Sequence, residues 1–264
     1  MSETTNGAST RRQLMAGAAV TTGGVAMLGF PALGQATNKP APSGFANVPR
    51  KGNDPKTILA VAATAEVLAT IVNTVGFEAA GRLGLDAVTT RNIRAAAREE
   101  LVHFQVLTSP GVGGKELTRR IWVPDAVFAS KTSLLSTLEV GDQIFVNAYM
   151  IGTTVYGNAG NGTLARVTSE FMGVEAVHRA LARQSLGKLG NDRVFMKFDQ
   201  PEGARDAPNA GSPGFVRILD AVAQLQAAGF GFGAQGATPG RFYEFDEVSR
   251  RTPTDPDLNT FSPR

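Results

Sequence analysis

The chain has 264 residues, is 42% hydrophobic and carries a net charge of +3 from 26 basic and 23 acidic residues. That hydrophobic content is sufficient for a folded core, and no basic stretch is interleaved with aromatic residues, so we expect no nucleic-acid partner. The sequence contains no cysteine, which excludes disulfides, iron–sulfur clusters, thiolate-bound zinc and a cysteine nucleophile. Any metal would have to be bound by nitrogen and oxygen ligands.

The N-terminal segment has the pattern of an export signal. Arg11 and Arg12 precede an apolar run rich in glycine and alanine, and small residues follow around Gly34 and Ala36. The segment resembles a twin-arginine (Tat) signal at 1–36, which predicts cleavage after Ala36 and a periplasmic or secreted protein. A retained membrane anchor is the alternative. The short apolar run and its glycines favour cleavage, with no stable membrane span afterwards.

Helical patterns begin after a segment of linker composition at 37–53. Asp54 is a good N-cap and Pro55 suits the first helical position. The fifth predicted helix and an irregular tail lie in a C-terminal extension at 191–264. The predicted fold class is all-α, with a four-helix bundle at 54–190 and a long crossover at 109–130. The predicted helices are 54–80, 89–108, 131–156, 162–188 and 214–228.

Glu66 is the only charged residue in the apolar stretch 57–75 of the first helix. A carboxylate in such a stretch is costly unless something neutralises or ligates it. A transmembrane helix is the alternative interpretation of this stretch. Its four threonines and one asparagine argue against that alternative.

Two Glu-x-x-His pairs occur, one in the second helix and one in the fourth. Helical periodicity places Glu100 and His103 on the buried stripe and directs Glu99 elsewhere. Glu175 and His178 repeat the arrangement. One such pair alone is more often a surface pair or a core histidine than a metal site.

The spacing of the glutamates brings the two pairs into one pattern. Glu66 and Glu100 are equidistant from a turn near Leu83, and Glu139 and Glu175 from a turn near residue 157. Residues equidistant from the turn of an antiparallel hairpin lie at the same height. The result is the ligand pattern of dimetal carboxylate bundles, in which two helices supply a glutamate each and two supply a Glu-x-x-His. The predicted metal ligands are Glu66, Glu100, His103, Glu139, Glu175 and His178.

Two iron or manganese ions are the expected cofactors, since these metals suit oxygen-rich sites with imidazole. Glu100 and Glu175 are the candidates for bridging both metals, and Glu66 and Glu139 for terminal ligands, with one histidine on each metal. Asp142 is either a residue that orients a ligating imidazole or a solvated helix residue. An emptied site, in which these residues form a protonated hydrogen-bond cluster, is the alternative.

Four segments carry a family resemblance: ILAVAATAEVLATIVN, AAREELVHFQVL, LEVGDQIFVNAY and VEAVHRALARQ. Behind a Tat signal, they resemble the bacterial ferritin-like domain family related to plant desiccation-related proteins. The resemblance covers about residues 54–190, and the ligand positions of the family match the six predicted ligands. It implies a ferritin-like four-helix bundle.

Two classes of function remain open at this stage. One is an oxidoreductase that consumes dioxygen or peroxide, such as an oxidase or a ferroxidase. The other is a non-enzymatic stress- or desiccation-protective or binding protein with an empty or vestigial site. Tyr149 and Tyr156 fit either redox chemistry or core packing with a bonded hydroxyl. The sequence names no small-molecule substrate and leaves a homo-oligomer open.

Overall fold

The computed structural model describes residues 52–191, 196–198 and 212–255. The predicted signal at 1–36 lies outside these residues, as does most of the predicted linker at 37–53. Helices account for 65% of the described structure and strands for 7%. The prediction of a mostly helical protein is therefore confirmed, whereas the small sheet was not predicted.

Four long helices form the interior and pack as two hairpins. The first hairpin pairs α1 with α3, and the second pairs α4 with α5. Further contacts of α1 with α4, and of α3 with α5, join the two hairpins. In chain order the described helices are α1 (Pro55–Glu78), α2 (Ala80–Leu83), α3 (Ala87–Leu107), α4 (Lys131–Asn158), α5 (Gly162–Ser185), α6 (Ile218–Ala227) and α7 (Phe245–Val248).

The long helices begin where polar side chains cap their first turns. Asp54, Asp86, Ser130 and Asn161 each accept a hydrogen bond from the backbone N–H three residues later. Such a cap contributes about 1 kcal/mol to stability. Gly84 adopts φ 65°, a left-handed conformation that favours glycine, and ends α2 so that the chain can turn into α3.

The connection between the hairpins is ordered and contains a strand. The described strands are β1 (Arg120–Pro124), β2 (Met196–Phe198), β3 (Ser212–Gly214), β4 (Gly231–Phe232) and β5 (Gly240–Glu244). β1 lies between β4 and β5 and pairs antiparallel with both, while β2 and β3 form a separate parallel pair. The crossover is thereby tied to the C-terminal extension.

The C-terminal extension packs on the long helices. α6 contacts α1 and α4, and α7 contacts α1. The predicted fifth helix corresponds to α6, which begins at Ile218 rather than at 214. The prediction of an irregular tail is wrong, because β4, β5 and α7 lie within it. Their partner is the distant strand β1, and no local periodicity indicates such a pairing.

α1 is the one helix, among the residues that the structure describes, that is long and apolar enough to cross a membrane. The rest of the protein buries 83% of the most apolar 18-residue stretch of α1. Val67 and Ile71 are fully buried in the main core. α1 is therefore the central helix of the core, and its length and composition alone do not make it a membrane span.

Candidate metal centre

Three glutamates meet in the interior of the protein. Glu66 lies on α1, Glu100 on α3 and Glu175 on α5, and all three are 0% exposed. His103, one helical turn after Glu100, completes the group. One ligand atom from each of the four residues lies within 4.8 Å of the others. The structure thus confirms a buried group of glutamates and histidine that can hold a metal ion.

The imidazole of His103 lies among the three carboxylates. Its Nδ1 is 3.5 Å from Oε2 of Glu66, 3.3 Å from Oε2 of Glu100 and 3.5 Å from Oε1 of Glu175. The ring stacks on Phe171, with 3.9 Å between the ring centroids and 24° between the planes. This stacking directs Nδ1 toward the carboxylates.

His178 on α5 approaches two of the same glutamates from another side. Its Nδ1 is 3.0 Å from Oε1 of Glu100 and 3.6 Å from Oε2 of Glu175. Each of these two glutamates therefore directs one oxygen toward His103 and its other oxygen toward His178.

The other ring nitrogen of His178 has a partner that the sequence analysis missed. Nε2 lies 2.6 Å from Oε2 of Glu99. A carboxylate behind a ligating imidazole holds the ring in place and increases its basicity. Periodicity directed Glu99 away from the core, but its side chain reaches the ring across the contact between α3 and α5. Its position next to Glu100, on a helix facing α5, was the available signal.

Tyr149 on α4 anchors one of the predicted ligands. Its hydroxyl donates a hydrogen bond to Oε1 of Glu66, and its ring meets Phe171 edge-on at 5.6 Å between centroids. Tyr149 therefore has the packed, hydrogen-bonded role that was one of its two predicted alternatives. This contact leaves Oε2 of Glu66 as the oxygen that faces His103.

Glu139 does not join the cluster, and its prediction as a terminal ligand is corrected. Its Oε1 lies 2.5 Å from Nη1 of Arg183, and its Oε2 forms an ion pair with Lys188. The turn between α4 and α5 lies at 159–161, so the level of Glu175 on α4 falls near position 145 rather than at 139. These two cations compensate the charge of Glu139 away from the cluster.

Asp142 is the acidic residue of α4 that approaches the cluster. It is buried, and it lines a small pocket together with His178. Burial, followed by the charge of Glu175, raises the pKa of Asp142 well above its usual range. Asp142 is therefore not a solvated residue, which was one of the two alternatives for it.

Seven polar atoms of the cluster are buried without a hydrogen-bond partner. Buried polar atoms in folded proteins are nearly always paired, because an unpaired one loses its interaction with water. All seven belong to the atom types that ligate divalent metals, so the residues fit a metal site. They are Oε2 of Glu66, both carboxylate oxygens of Glu100 and of Glu175, and Nδ1 of His103 and His178.

No protein-family model, curated protein or solved structure matches the chain. The ferritin-like resemblance therefore remains an expectation. The chemistry of the site has to follow from its own residues.

Burial and the neighbouring charges shift the pKa values of Glu66, His103 and His178. Burial and the nearby Glu100 raise the pKa of Glu66 to about 7. Burial by itself would lower the pKa of His103, but the surrounding carboxylates, Glu66 first, raise it well above its usual value. The same balance, with Glu100 as the strongest neighbour, raises the pKa of His178. The cluster therefore requires positive charge, from protons or from metal ions.

Proposed function

We propose that the chain is a ferritin-like protein that binds two iron or manganese ions and performs redox chemistry on dioxygen or peroxide. The observation that carries this proposal is the arrangement of Glu100 and Glu175. Each directs one unpaired oxygen toward each histidine, at distances between 3.0 and 3.6 Å. Two metal positions, one beside each imidazole, account for this arrangement.

The first metal position would be held by Glu66 and His103, and the second by His178. Asp142 replaces Glu139 as the candidate terminal carboxylate of the second position, because it is buried beside His178. Glu100 and Glu175 would span both positions. The four carboxylates together match the charge of two divalent ions, which offsets the cost of burying them.

Iron and manganese suit this donor set because it combines carboxylates with imidazoles and contains no thiolate. When bound, such ions supply electrons by changing oxidation state. The chain contributes fixed positions for the ligands: Phe171 packs on His103, Tyr149 hydrogen-bonds to Glu66, and Glu99 contacts His178. Ligands held in this way need little rearrangement when a metal binds.

The ferritin-like part of the proposal is supported by the order of the helices. Two hairpins, α1 with α3 and α4 with α5, are joined by the crossover, and the Glu-x-x-His helices α3 and α5 contact each other. This is the topology that dimetal carboxylate bundles use to place their ligands in one interior.

The competing function is a protective or binding protein whose cluster holds only protons. Its cluster would be expected to form hydrogen bonds between the protonated and ionised groups. Nδ1 of His103 lies 3.3 to 3.5 Å from an oxygen of each of the three carboxylates, without a well-directed hydrogen bond to any of them. That observation favours metal ions over protons as the source of positive charge.

Metal analysis tests the proposal directly. The full chain, purified without chelator and reconstituted with Fe(II) or Mn(II), should bind about two ions, and a Glu100→Ala, Glu175→Ala variant about none. Glu170→Ala is the matched control, because Glu170 is an exposed glutamate on α5. Metal-loaded protein should consume dioxygen or peroxide faster than the double variant. Absence of metal binding, or equal rates in both proteins, would support the protective role instead.

We also propose export through the Tat pathway, based on Arg11, Arg12 and the apolar run that follows them. Export in the folded state would suit a protein that acquires its metal before it crosses the membrane. The mature protein should begin at Thr37 when its N-terminus is sequenced. An Arg11→Lys, Arg12→Lys variant should remain inside the cell with residues 1–36 attached, and export of this variant would contradict the proposal.

A further inference from the structure

A second feature of the interior is an apolar pocket beside the metal ligands. Its volume is about 60 Å³, and α1, α4 and α6 form most of its walls. Leu117 of the crossover and Phe232 of β4 complete the lining. Leu117 is 68% exposed, so the pocket reaches the protein surface at this residue. The C-terminal extension thus closes one side of the pocket.

The pocket offers nothing for water to bond with. Thr64 and Tyr149 are the two polar side chains in its lining. The hydroxyl of Thr64 donates to the carbonyl of Ala60 and accepts from the N–H of Leu117, and the hydroxyl of Tyr149 donates to Glu66. A buried water needs two to four polar partners, whereas apolar cavities stay dry and take up apolar molecules.

The size of the pocket limits its occupant to a very small molecule. One water requires roughly 10–15 Å³ of such space, and an engineered apolar cavity of about 150 Å³ holds benzene or xenon. A pocket of about 60 Å³ therefore fits a molecule of a few heavy atoms. Hydrogen peroxide has a suitable size, but it would lose its hydrogen bonds to water without replacement. Dioxygen has none to lose.

Apolar side chains connect the pocket to the metal ligands. Tyr149 forms part of the pocket wall and belongs to an apolar cluster with Ala62 and Phe171. Phe171 in turn stacks on His103. A molecule in the pocket is thus separated from the cluster by Tyr149 and the side chains packed against it.

We propose that this pocket binds dioxygen and is the place from which dioxygen reaches the metal centre. The inference rests on the proposed function for its chemical purpose, and it selects dioxygen over peroxide as the oxidant. It also assigns a role to the C-terminal extension, since α6 supplies four of the lining residues.

Binding is measured with dioxygen itself on the metal-free full chain. Dissolved dioxygen is paramagnetic and accelerates the NMR relaxation of nearby methyl groups. The methyls of Val61 and Leu225 in the pocket should relax several-fold faster under oxygen pressure than those of Val127 and Leu134 elsewhere in the core, which are equally buried. Equal relaxation in the two groups would overturn the proposal without affecting the metal assignment.

Substitutions that fill the pocket provide a second test of the proposal. Ala148→Leu places extra carbon atoms in the pocket from α4, and Val222→Phe does so from α6 should the first variant not fold. Ala176→Leu, at an exposed position on α5, is the matched control. The filled variants should lose the enhanced relaxation. With excess Fe(II) supplied as the reductant, which is oxidised to Fe(III), they should also show a raised KM for dioxygen, while their peroxide consumption stays unchanged. Unchanged relaxation, or equal loss of both activities, would contradict the proposal.

Discussion

At the scale of single residues, the two imidazoles of the cluster are held in different ways. His103 is positioned by ring stacking on Phe171, whereas His178 is positioned by the carboxylate of Glu99. An apolar partner fixes only the orientation of a ring, while a carboxylate also increases its basicity. The two proposed metal positions are therefore chemically unequal, and substitutions can separate them.

Replacement of Glu99 by Ala should weaken one metal position and spare the other. Without Glu99, His178 loses the group that holds its ring, and we expect metal affinity at that position to fall about 10- to 100-fold. Isothermal titration calorimetry of the metal-free variant with Mn(II) would resolve one tight site and one weakened site. Glu170→Ala should bind as the wild type does. Two unchanged sites in the Glu99 variant would contradict the assigned role.

The two acidic residues Glu139 and Asp142 of α4 give a second test at this scale. Asp142→Ala should reduce the bound metal to about one ion per chain, because the second position loses its terminal carboxylate. Glu139→Ala should retain both ions and lose about 2 kcal/mol of stability with its ion pairs to Arg183 and Lys188. Metal content and urea unfolding measure the two effects. Metal loss in the Glu139 variant alone would restore the original ligand prediction.

At the scale of elements, the hairpin turns decide which residues meet. In the first hairpin the turn and α2 lie where the spacing predicted, so Glu66 and Glu100 converge. In the second hairpin α4 continues to Asn158, and Asp142 lies closer to the level of Glu175 than Glu139 does. A small shift of a turn therefore exchanges one candidate ligand for another on the same helix.

The start of α6 is anchored by a side chain from the predicted linker that precedes α1. Asn53 donates from Nδ2 to the carbonyl of Val216 and accepts at Oδ1 from the N–H of Ile218. Asn53→Ala leaves both backbone groups without this partner. It should lower the free energy of unfolding by about 2 kcal/mol, as measured by urea denaturation. Asn191→Ala, at an exposed position, is the control and should change stability little. Equal stabilities would show that Asn53 does not anchor α6.

At the scale of the whole molecule, the buried cluster links stability to pH. In the unfolded chain, Glu66 has a reference pKa of 4.5 and the two histidines have a reference pKa of 6.5. The folded protein raises all three pKa values, so these groups keep their protons to higher pH than they do in the unfolded chain. In the folded state the pKa of Glu66 is about 7, and the pKa values of the two histidines lie well above 6.5. When the folded state binds more protons, its stability falls as pH rises.

The metal-free protein should therefore have its highest Tm at mildly acidic pH and lose stability through neutral and alkaline pH. Metal ions replace the protons, so the metal-loaded protein should lose less stability, or none, over the same interval. Scanning calorimetry between about pH 5 and 9 measures both forms. In the metal-free Glu66→Gln variant the decline near pH 7 should be smaller. A Tm of the metal-free protein that rises with pH would contradict the proposed protonation.

The sequence by itself determined which residues face inward. The cap at Asp54 and the helical period predicted the four long helices. The period placed Glu100, His103, Glu175 and His178 on buried stripes, and Glu66 was singled out as the one charge of an apolar stretch. These features depend on residues close together in the chain, where backbone geometry is regular. Local pattern was therefore sufficient for this part of the site.

Only the tertiary structure decided how the remaining residues pair. Glu139 contacts Arg183 and Lys188, Glu99 contacts His178, and β1 pairs with strands more than a hundred residues away. Periodicity specifies the face of a helix, but the height of one helix against another depends on the turn and the packing between them. A long side chain such as Glu99 can also reach across a helix contact from outside the buried stripe. These pairings follow from packing between distant segments, which the local sequence pattern does not encode.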